Sequence, residues 1–271
     1  MITEERKRMR TDYKNWMPKG MVLSFAAGSA VCLALALLAD RGQLFGGAAK
    51  SAAVLILALL GIGLALAALW CLWLYRTFSY EGSRKIAKYI IEGVASYVDI
   101  PEGGIGLDVG CGSGALAIAA AKRNPGAKVL GIDRWGKEYA SFSKQLCENN
   151  AEAEGVGERT EFRRGDALKL DIPDESMDAV MSNYVYHNIP SKDRQAILLE
   201  TLRTLKKGGS FAIHDIMSTF KYGDMESFVR KLRDMGYEDV RLIDTSSGMF
   251  VGKLEGRLMG LSGSMLLTGK K

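Results

Sequence analysis

Residues 107–114 read LDVGCGSG, and this stretch decides the fold. It ends a short apolar run at 105–109 and precedes a helical pattern, so its glycines stand at a strand-to-helix turn. Glycines at 110, 112 and 114 let the backbone turn tightly and let a ligand approach, because no Cβ is in the way. The helix behind such a turn presents free N–H groups to a polar ligand. We therefore predict a small-molecule site at this turn.

Beyond this stretch, short β-branched runs alternate with helical patterns from residue 80 to the C-terminus. The predicted strands are 105–109, 128–132, 160–164, 177–182, 210–214, 240–244 and 264–268. The predicted helices between or before them are 81–98, 115–123, 136–154, 191–205 and 224–235. Strands separated by helices of this length predict an α/β fold with a doubly wound, mostly parallel, seven-stranded Rossmann-like sheet. Ligands of such sheets bind at the carboxyl ends of the strands.

Three acids stand at or near the ends of the first three predicted strands. Asp108 precedes the first glycine by two residues, at a position that dinucleotide-binding folds usually fill with an apolar side chain. Asp133 ends the second strand, where a carboxylate accepts ribose hydroxyls, and Asp166 follows the third strand. Each acid alone also fits a local turn or a backbone cap. The glycine spacing alone also fits G-x-G-x-x-G/A, which keeps a dinucleotide-dependent oxidoreductase open.

Together these residues resemble the class I S-adenosylmethionine-dependent methyltransferases, and the likeness covers residues 81–271. The stretch RTLKKGGSFAIHD at 203–215 is similar to the helix, turn and fifth strand of that family. The resemblance implies S-adenosyl-L-methionine as cofactor, with its methionine end at Asp108 and the glycine loop, its ribose at Asp133 and its adenine at Asp166. The cofactor-binding residues expected on this basis are Asp108, Gly110, Cys111, Gly112, Gly114, Asp133, Arg134, Asp166, Ala167 and Asn183.

The loop after the fourth strand, SNYVYHNIP at 182–190, is where we expect methyl transfer. The predicted catalytic residues are Tyr184, Tyr186 and His187. His187 is the candidate general base, because an imidazole titrates near neutral pH; a packing role for it is the alternative. His214 is the second candidate. It precedes Asp215 in the chain, but neighbouring residues of a strand face opposite sides, so the two need not form a pair.

The class of the methyl acceptor is inferred from the motifs that the sequence lacks. The sequence has two histidines and four widely spaced cysteines without a CxxC pair, so we predict no metal site. It shows no basic-aromatic groove and no NPPY-like tetrapeptide after the fourth strand, so we predict no nucleic-acid partner. A small-molecule acceptor is expected, and a lipophilic one if the enzyme is held at a membrane.

Two uncharged apolar runs, 21–39 and 51–75, are each long enough to cross a bilayer as a helix. Six Lys or Arg residues precede the first run, and the positive-inside rule then places both chain termini in the cytoplasm. We therefore expect a basic segment and a two-helix transmembrane anchor at 1–79 and a methyltransferase domain at 80–271. A non-catalytic membrane protein that retains a cofactor-binding module is a further alternative. The segment 246–263 is interpreted as a membrane-touching or lid element, or as an ordinary surface helix.

Overall fold

The computed structural model describes residues 10–42, 46–136 and 140–271. The described residues divide into two compact units. One unit is Asn15–Lys88; the other joins residues 10–14 to Tyr89–Lys271. This division differs from the expected one at 79/80, because the residues just before Asn15 pack with the catalytic unit rather than with the apolar helices.

The first unit contains two long apolar helices, α1 (Lys19–Arg41) and α2 (Gly47–Phe78), as the sequence predicts. They have 23 and 32 residues, and both are long and apolar enough to cross a membrane. At 1.5 Å per residue they extend about 35 and 48 Å. The helices pack closely at Gly61, where a Cβ would lie 2.7 Å from Leu33 Cγ. At the same place Ser29 Oγ donates a hydrogen bond of 2.8 Å to the Gly61 carbonyl oxygen.

The second unit is an α/β domain. Its strands are β1 (Ile105–Val109), β2 (Lys128–Asp133), β3 (Thr160–Arg164), β4 (Met177–Asn183), β5 (Leu205–Ile216), β6 (Glu238–Asp244) and β7 (Ser264–Lys270). Its helices, counting on from the first unit, are α3 (Ile86–Ala95), α4 (Ala115–Arg123), α5 (Lys144–Ala153), α6 (Arg194–Arg203), α7 (Thr219–Tyr222), α8 (Met225–Asp234) and α9 (Lys253–Leu258). Helix α3 begins three residues before the boundary between the units.

The seven strands form one sheet in the order β3-β2-β1-β4-β5-β7-β6. Strands β1 to β5 pair with one another in parallel, and β7 runs antiparallel to both β5 and β6. The predicted fold class is thereby confirmed. The strand order reverses between β1 and β4, so the carboxyl ends of these two strands flank the crevice where such sheets bind ligands.

Helix α5 is shorter than the predicted helix 136–154. Ser143 caps its N-terminus, with Oγ accepting a hydrogen bond from the Leu146 N–H. Residues 140–142 form no helix, and 137–139 lie outside the described residues. A serine side chain that satisfies a free amide favours a helix start at this point. The end of β2 is therefore separated from α5 by a connection rather than by a continuous helix.

We predict that Gly61→Ala destabilises the helix pair and that Gly63→Ala does not. A Cβ at Gly61 meets the Leu33 side chain at 2.7 Å and the Leu33 backbone nitrogen at 3.3 Å, whereas a Cβ at Gly63 meets nothing within 4 Å. Overpacking costs about 1–3 kcal/mol, and the better helix propensity of alanine offsets up to about 1 kcal/mol of it. Thermal unfolding of the two detergent-purified variants is the measurement; an equal effect at both positions contradicts the packing argument.

Candidate active site

The glycine turn joins β1 to α4 and ties two strands together. The N–H groups of Gly110 and Cys111 both donate to the Ile132 carbonyl oxygen, at 2.8 and 3.0 Å. Gly110, Gly112 and Gly114 have φ of +76°, +55° and +81°, a region in which side chains are strained. A Cβ on Gly112 would meet nothing within 4 Å, so the backbone there faces open space. At Gly112 the turn thus presents bare backbone to open space, and ligand binding there stays a prediction.

Asp108 lies at the buried end of this turn. It is 1% exposed, and its Oδ2 accepts a hydrogen bond of 3.0 Å from the Ala117 N–H in α4. Burial raises the pKa of Asp108 to about 8, against the lowering effect of the Ala117 hydrogen bond; the nearby Asp133 raises it further. Asp108 is therefore largely protonated at neutral pH as long as no cation lies beside it. A cationic group placed beside it would favour the carboxylate form.

Asp133 ends β2 beside the same turn. Its Oδ2 accepts from the Gly112 N–H at 2.9 Å, and its Oδ1 accepts from the Trp135 N–H at 2.7 Å. Trp135 in turn donates from Nε1 to the Gly112 carbonyl oxygen at 2.9 Å. Arg134 between them is exposed. Asp133 thus orders the glycine turn, and a carboxylate with about four acceptor positions can still accept ribose hydroxyls.

Asp166 follows β3 at the same edge of the sheet. It is exposed, and its Oδ1 accepts from the Leu168 N–H at 2.9 Å, which closes a local turn. Ala167 packs against the hydrophobic core. The Gly165 N–H donates to the Asp133 carbonyl oxygen at 3.0 Å, so the turn that carries Asp166 is fixed to the end of β2. The turn-forming role is visible here, and adenine binding at Asp166 stays a prediction.

His187 and Asp215 form a hydrogen-bonded pair across the ends of β4 and β5. Nδ1 of His187 lies 2.5 Å from Oδ1 of Asp215, and the His187 N–H donates to Oδ2 at 3.1 Å. The Asp215 side chain is fully buried and that of His187 is 13% exposed. Within the described residues, Nε2 of His187 has no hydrogen-bond partner. The arrangement fixes the ring and leaves one nitrogen able to accept a proton.

The two tyrosines predicted to be catalytic occupy different environments. Tyr186 is fully buried, and its hydroxyl bonds to Thr201 Oγ1 at 2.8 Å, so its catalytic role stays a prediction that this contact does not support. Tyr184 has φ +56°, and its hydroxyl bonds to Ser264 Oγ at 2.9 Å. Its ring lies edge-on to the His187 ring at 6.1 Å between centroids. Burial raises the pKa of both phenols, so neither is a ready proton acceptor.

His214 faces away from the His187–Asp215 pair and is fully buried. Its ring nitrogens lie 2.7 Å from Asn183 Oδ1 and 2.8 Å from Thr245 Oγ1. Burial lowers its pKa to about 3, although Asp215 acts in the opposite direction. A neutral ring with both nitrogens engaged suits a structural role, which favours His187 over His214 as the candidate base. Asn183 is held by this ring.

Three residues that the sequence analysis missed support the loop of His187. Arg194 donates to the carbonyl oxygens of Tyr186 and Lys221, at 3.1 and 3.2 Å. Lys221 Nζ donates to the His187 carbonyl oxygen at 3.2 Å. Tyr222 is buried near Asp215, and its hydroxyl is the buried side-chain polar atom left without a hydrogen bond in the described residues. These contacts join distant segments, so no local sequence pattern indicates them.

A hollow of about 270 Å³ lies at the opposite, amino edge of the sheet, where Asp99, Asp178, Lys206 and Ser210 line it. Ligands of parallel sheets bind at the carboxyl edge, so we do not place the cofactor there. Among the residues that the structure describes, no group of three or more His, Cys, Asp or Glu side chains could hold a metal ion.

Comparisons with known proteins bear on the class of protein to which the α/β unit belongs. Residues 107–213 match the family model of the methyltransferase domain. The arsenite methyltransferase of Halobacterium salinarum is 33% identical over 119 residues, which cover 44% of this chain and 28% of that protein. The sterol 24-C-methyltransferase erg6 of Aspergillus fumigatus is 28% identical over 166 residues, which cover 60% of this chain and 42% of that protein. The matched stretches thus span less than half of these relatives.

One solved structure with the same fold is the geranyl diphosphate C-methyltransferase from Streptomyces coelicolor A3(2), in complex with Mg²⁺, geranyl diphosphate and S-adenosyl-L-homocysteine. The TM-score is 0.53 at 14% identity, over 72% of this chain and 83% of that chain. This likeness shows the fold. With the family match, it shows that the α/β unit has this fold and contains a methyltransferase domain at residues 107–213. The match argues against the dinucleotide-dependent oxidoreductase that the glycine spacing left open.

We predict that Gly110→Ala mainly harms stability and that Gly112→Ala mainly harms ligand binding. A Cβ on Gly110 would lie 2.3 Å from Val185 Cγ2, whereas one on Gly112 enters open space. Left-handed strain costs about 1–2 kcal/mol at either position, and the clash adds about 1–3 kcal/mol at Gly110. Thermal unfolding with and without S-adenosylhomocysteine measures both effects. Equal loss of stability in the two variants contradicts this assignment.

We predict that affinity for S-adenosylhomocysteine rises from pH 6 to pH 7.5 and that Asp108→Asn removes the rise. Because the pKa of Asp108 is raised, its carboxyl group in the folded, ligand-free protein is protonated below about pH 8. Binding of the ligand's ammonium group favours the carboxylate and releases that proton, so a higher pH favours binding by up to about tenfold per pH unit. Calorimetric titration at three pH values is the measurement; a pH-independent affinity in the unmodified protein contradicts the linkage.

Proposed function

We propose that this chain is a membrane-anchored methyltransferase that moves the methyl group of S-adenosylmethionine to a protic group on a small lipophilic acceptor. The His187–Asp215 pair carries this proposal. A buried carboxylate that holds an imidazole, with one ring nitrogen left free at the carboxyl edge of the sheet, is an arrangement suited to proton removal. A non-catalytic binding module has no need of such a pair.

The cofactor supplies an activated methyl group on a sulfonium. Asp108 and the turn at Gly110–Gly114 would hold its methionine end, Asp133 its ribose, and Asp166 with Ala167 its adenine. The bare backbone at Gly112 and the buried acid beside it fit a ligand with an ammonium and a carboxylate group. Each of these roles is a proposal supported by the family resemblance.

His187 removes the proton that the acceptor loses on methylation. Nε2 would accept the proton that the acceptor's O–H or N–H group loses. The bound cofactor would supply the methyl group for the new bond to the acceptor atom and would be left as a neutral thioether. Asp215 keeps the proton of Nδ1 in place, which fixes the tautomer and stabilises the imidazolium that forms. Lys221 and Arg194 hold the loop, so the ring keeps its position during the step.

The membrane part of the proposal rests on α1 and α2. Their length, the uncharged runs 21–39 and 51–75 within them and the basic residues before α1 support a hairpin with both termini in the cytoplasm, where S-adenosylmethionine is available. An exposed apolar side chain beside the His187 loop supports a lipophilic acceptor. Phe220 in α7 is 99% exposed and neighbours Lys221, which binds the His187 carbonyl oxygen. The sterol relative, which is named for a lipid acceptor, is a further support.

We predict that His187→Gln lowers kcat by about 10²–10⁴ and leaves the affinity for S-adenosylhomocysteine unchanged, because a general base contributes this much. Asn188→Ala is the matched control, since Asn188 is exposed in the same turn. Membranes containing each full-length variant are incubated with isotopically labelled S-adenosylmethionine. Extraction and mass analysis then identify and quantify the labelled product.

Two outcomes count against the proposal. If His187→Gln forms labelled product at the unmodified rate, His187 is not the general base. No labelled product from the unmodified protein, together with intact binding of S-adenosylhomocysteine, supports the non-catalytic module instead.

A further inference from the structure

The segment Thr11–Lys14, which we call the N-terminal arm, lies against the glycine turn although about 100 residues separate them in the chain. The Ser113 hydroxyl donates to the Tyr13 carbonyl oxygen at 3.0 Å. Tyr13 is 5% exposed, and its hydroxyl donates to Glu154 Oε1 at 3.2 Å. The arm is therefore packed on the catalytic unit and belongs to it.

Asn150 in α5 is the residue that joins the arm to the turn. Its Oδ1 accepts from the Asp12 N–H at 2.7 Å, and its Nδ2 donates to the Asp12 carbonyl oxygen at 3.1 Å. The same Nδ2 donates to the Ser113 carbonyl oxygen at 3.0 Å. Asn150 is 1% exposed, so these bonds form away from water. A single buried amide thus fixes the arm on one side and the cofactor turn on the other.

The arm itself is shaped to fit this position. Asp12 Oδ1 accepts from the Lys14 N–H at 3.1 Å, and Lys14 Nζ pairs with the same carboxylate. Lys14 has φ +55°, a conformation with a cost that other contacts must offset. This local turn directs the backbone of residues 12 and 13 toward Asn150 and Ser113. The arm precedes the first apolar helix by only four residues in the chain.

We propose that the N-terminal arm is part of the cofactor site, and that Asn150 acts as a positioning residue which holds the glycine turn in its binding conformation by binding both Ser113 and the arm. The inference rests on the proposed use of S-adenosylmethionine. Ser113 neighbours Gly112, whose backbone faces the open space in which the cofactor would lie. When the arm fixes Ser113, the turn has less conformational entropy to lose on binding, so the affinity for the cofactor is higher. Along the chain, the two apolar helices then lie between the arm and the remaining residues of the cofactor site.

The test is a double-variant cycle on the full-length chain. The two changes are Asn150→Ala and deletion of residues 11–14, which removes the arm and keeps α1, α2 and the basic residues Arg6, Lys7, Arg8 and Arg10. Each change alone weakens S-adenosylhomocysteine binding by about tenfold, the effect of losing hydrogen bonds to a buried amide. The two together weaken it by less than the product of the single effects, because the arm and the Ser113 carbonyl oxygen share the Asn150 amide. Asn149→Ala, at the exposed neighbouring position, leaves affinity unchanged.

Two results overturn the proposal: unmodified affinity in the chain that lacks residues 11–14, or effects of the two changes that multiply. Ser113→Ala is a milder change that is expected to leave the protein folded. It removes one side-chain hydrogen bond to the arm and is expected to weaken binding about threefold. Thermal unfolding of the ligand-free variants separates a loss of fold from a loss of affinity. Failure of the unmodified full-length chain to bind S-adenosylhomocysteine would instead reject the proposed function.

Discussion

The backbone turn between β1 and α4 is the constraint on which the catalytic unit depends. Its first two amides bind one carbonyl oxygen, that of Ile132, and so fix the end of β2 beside the end of β1. Gly110 also lies so close to Val185 that any side chain there would collide with it. The turn therefore sets the course of the loop that carries His187. Asp133, the turn and the candidate base share one edge of the sheet because this stretch of backbone has no Cβ atoms where it touches its neighbours.

Much of this edge could be predicted from the sequence, because the signals are local. Buried parallel strands appear as short apolar runs, and the acids at their ends are visible as breaks in those runs. The pairing of His187 with Asp215 could not be predicted in the same way. It depends on β4 and β5 being neighbours, with Asn183 opposite His214, and on the face to which each side chain points. Adjacent residues of β5 face opposite sides, so Asp215 reaches His187 and His214 does not.

The N-terminal arm shows a second limit of sequence reasoning. Basic residues before an apolar helix indicate a membrane flank, and nothing in their pattern reports a contact with Asn150, 138 residues away from Asp12. The contact satisfies backbone groups of the arm with a side-chain amide, and such bonds have no periodicity along the chain. Only the folded arrangement shows that the chain before the apolar helices belongs with the domain after them.

The two histidines of the protein show how burial divides roles at one sheet edge. Full burial makes the charged form of His214 costly, so its ring serves as a neutral link between Asn183 and Thr245. His187 stays partly exposed, and it faces a carboxylate that compensates a positive charge on its ring. Strand β5 therefore supplies the structural His214 on one face and Asp215, the partner of the candidate base, on the other. Because a fixed carboxylate holds the candidate base, the proposed site suits acceptors that lose a proton when they are methylated.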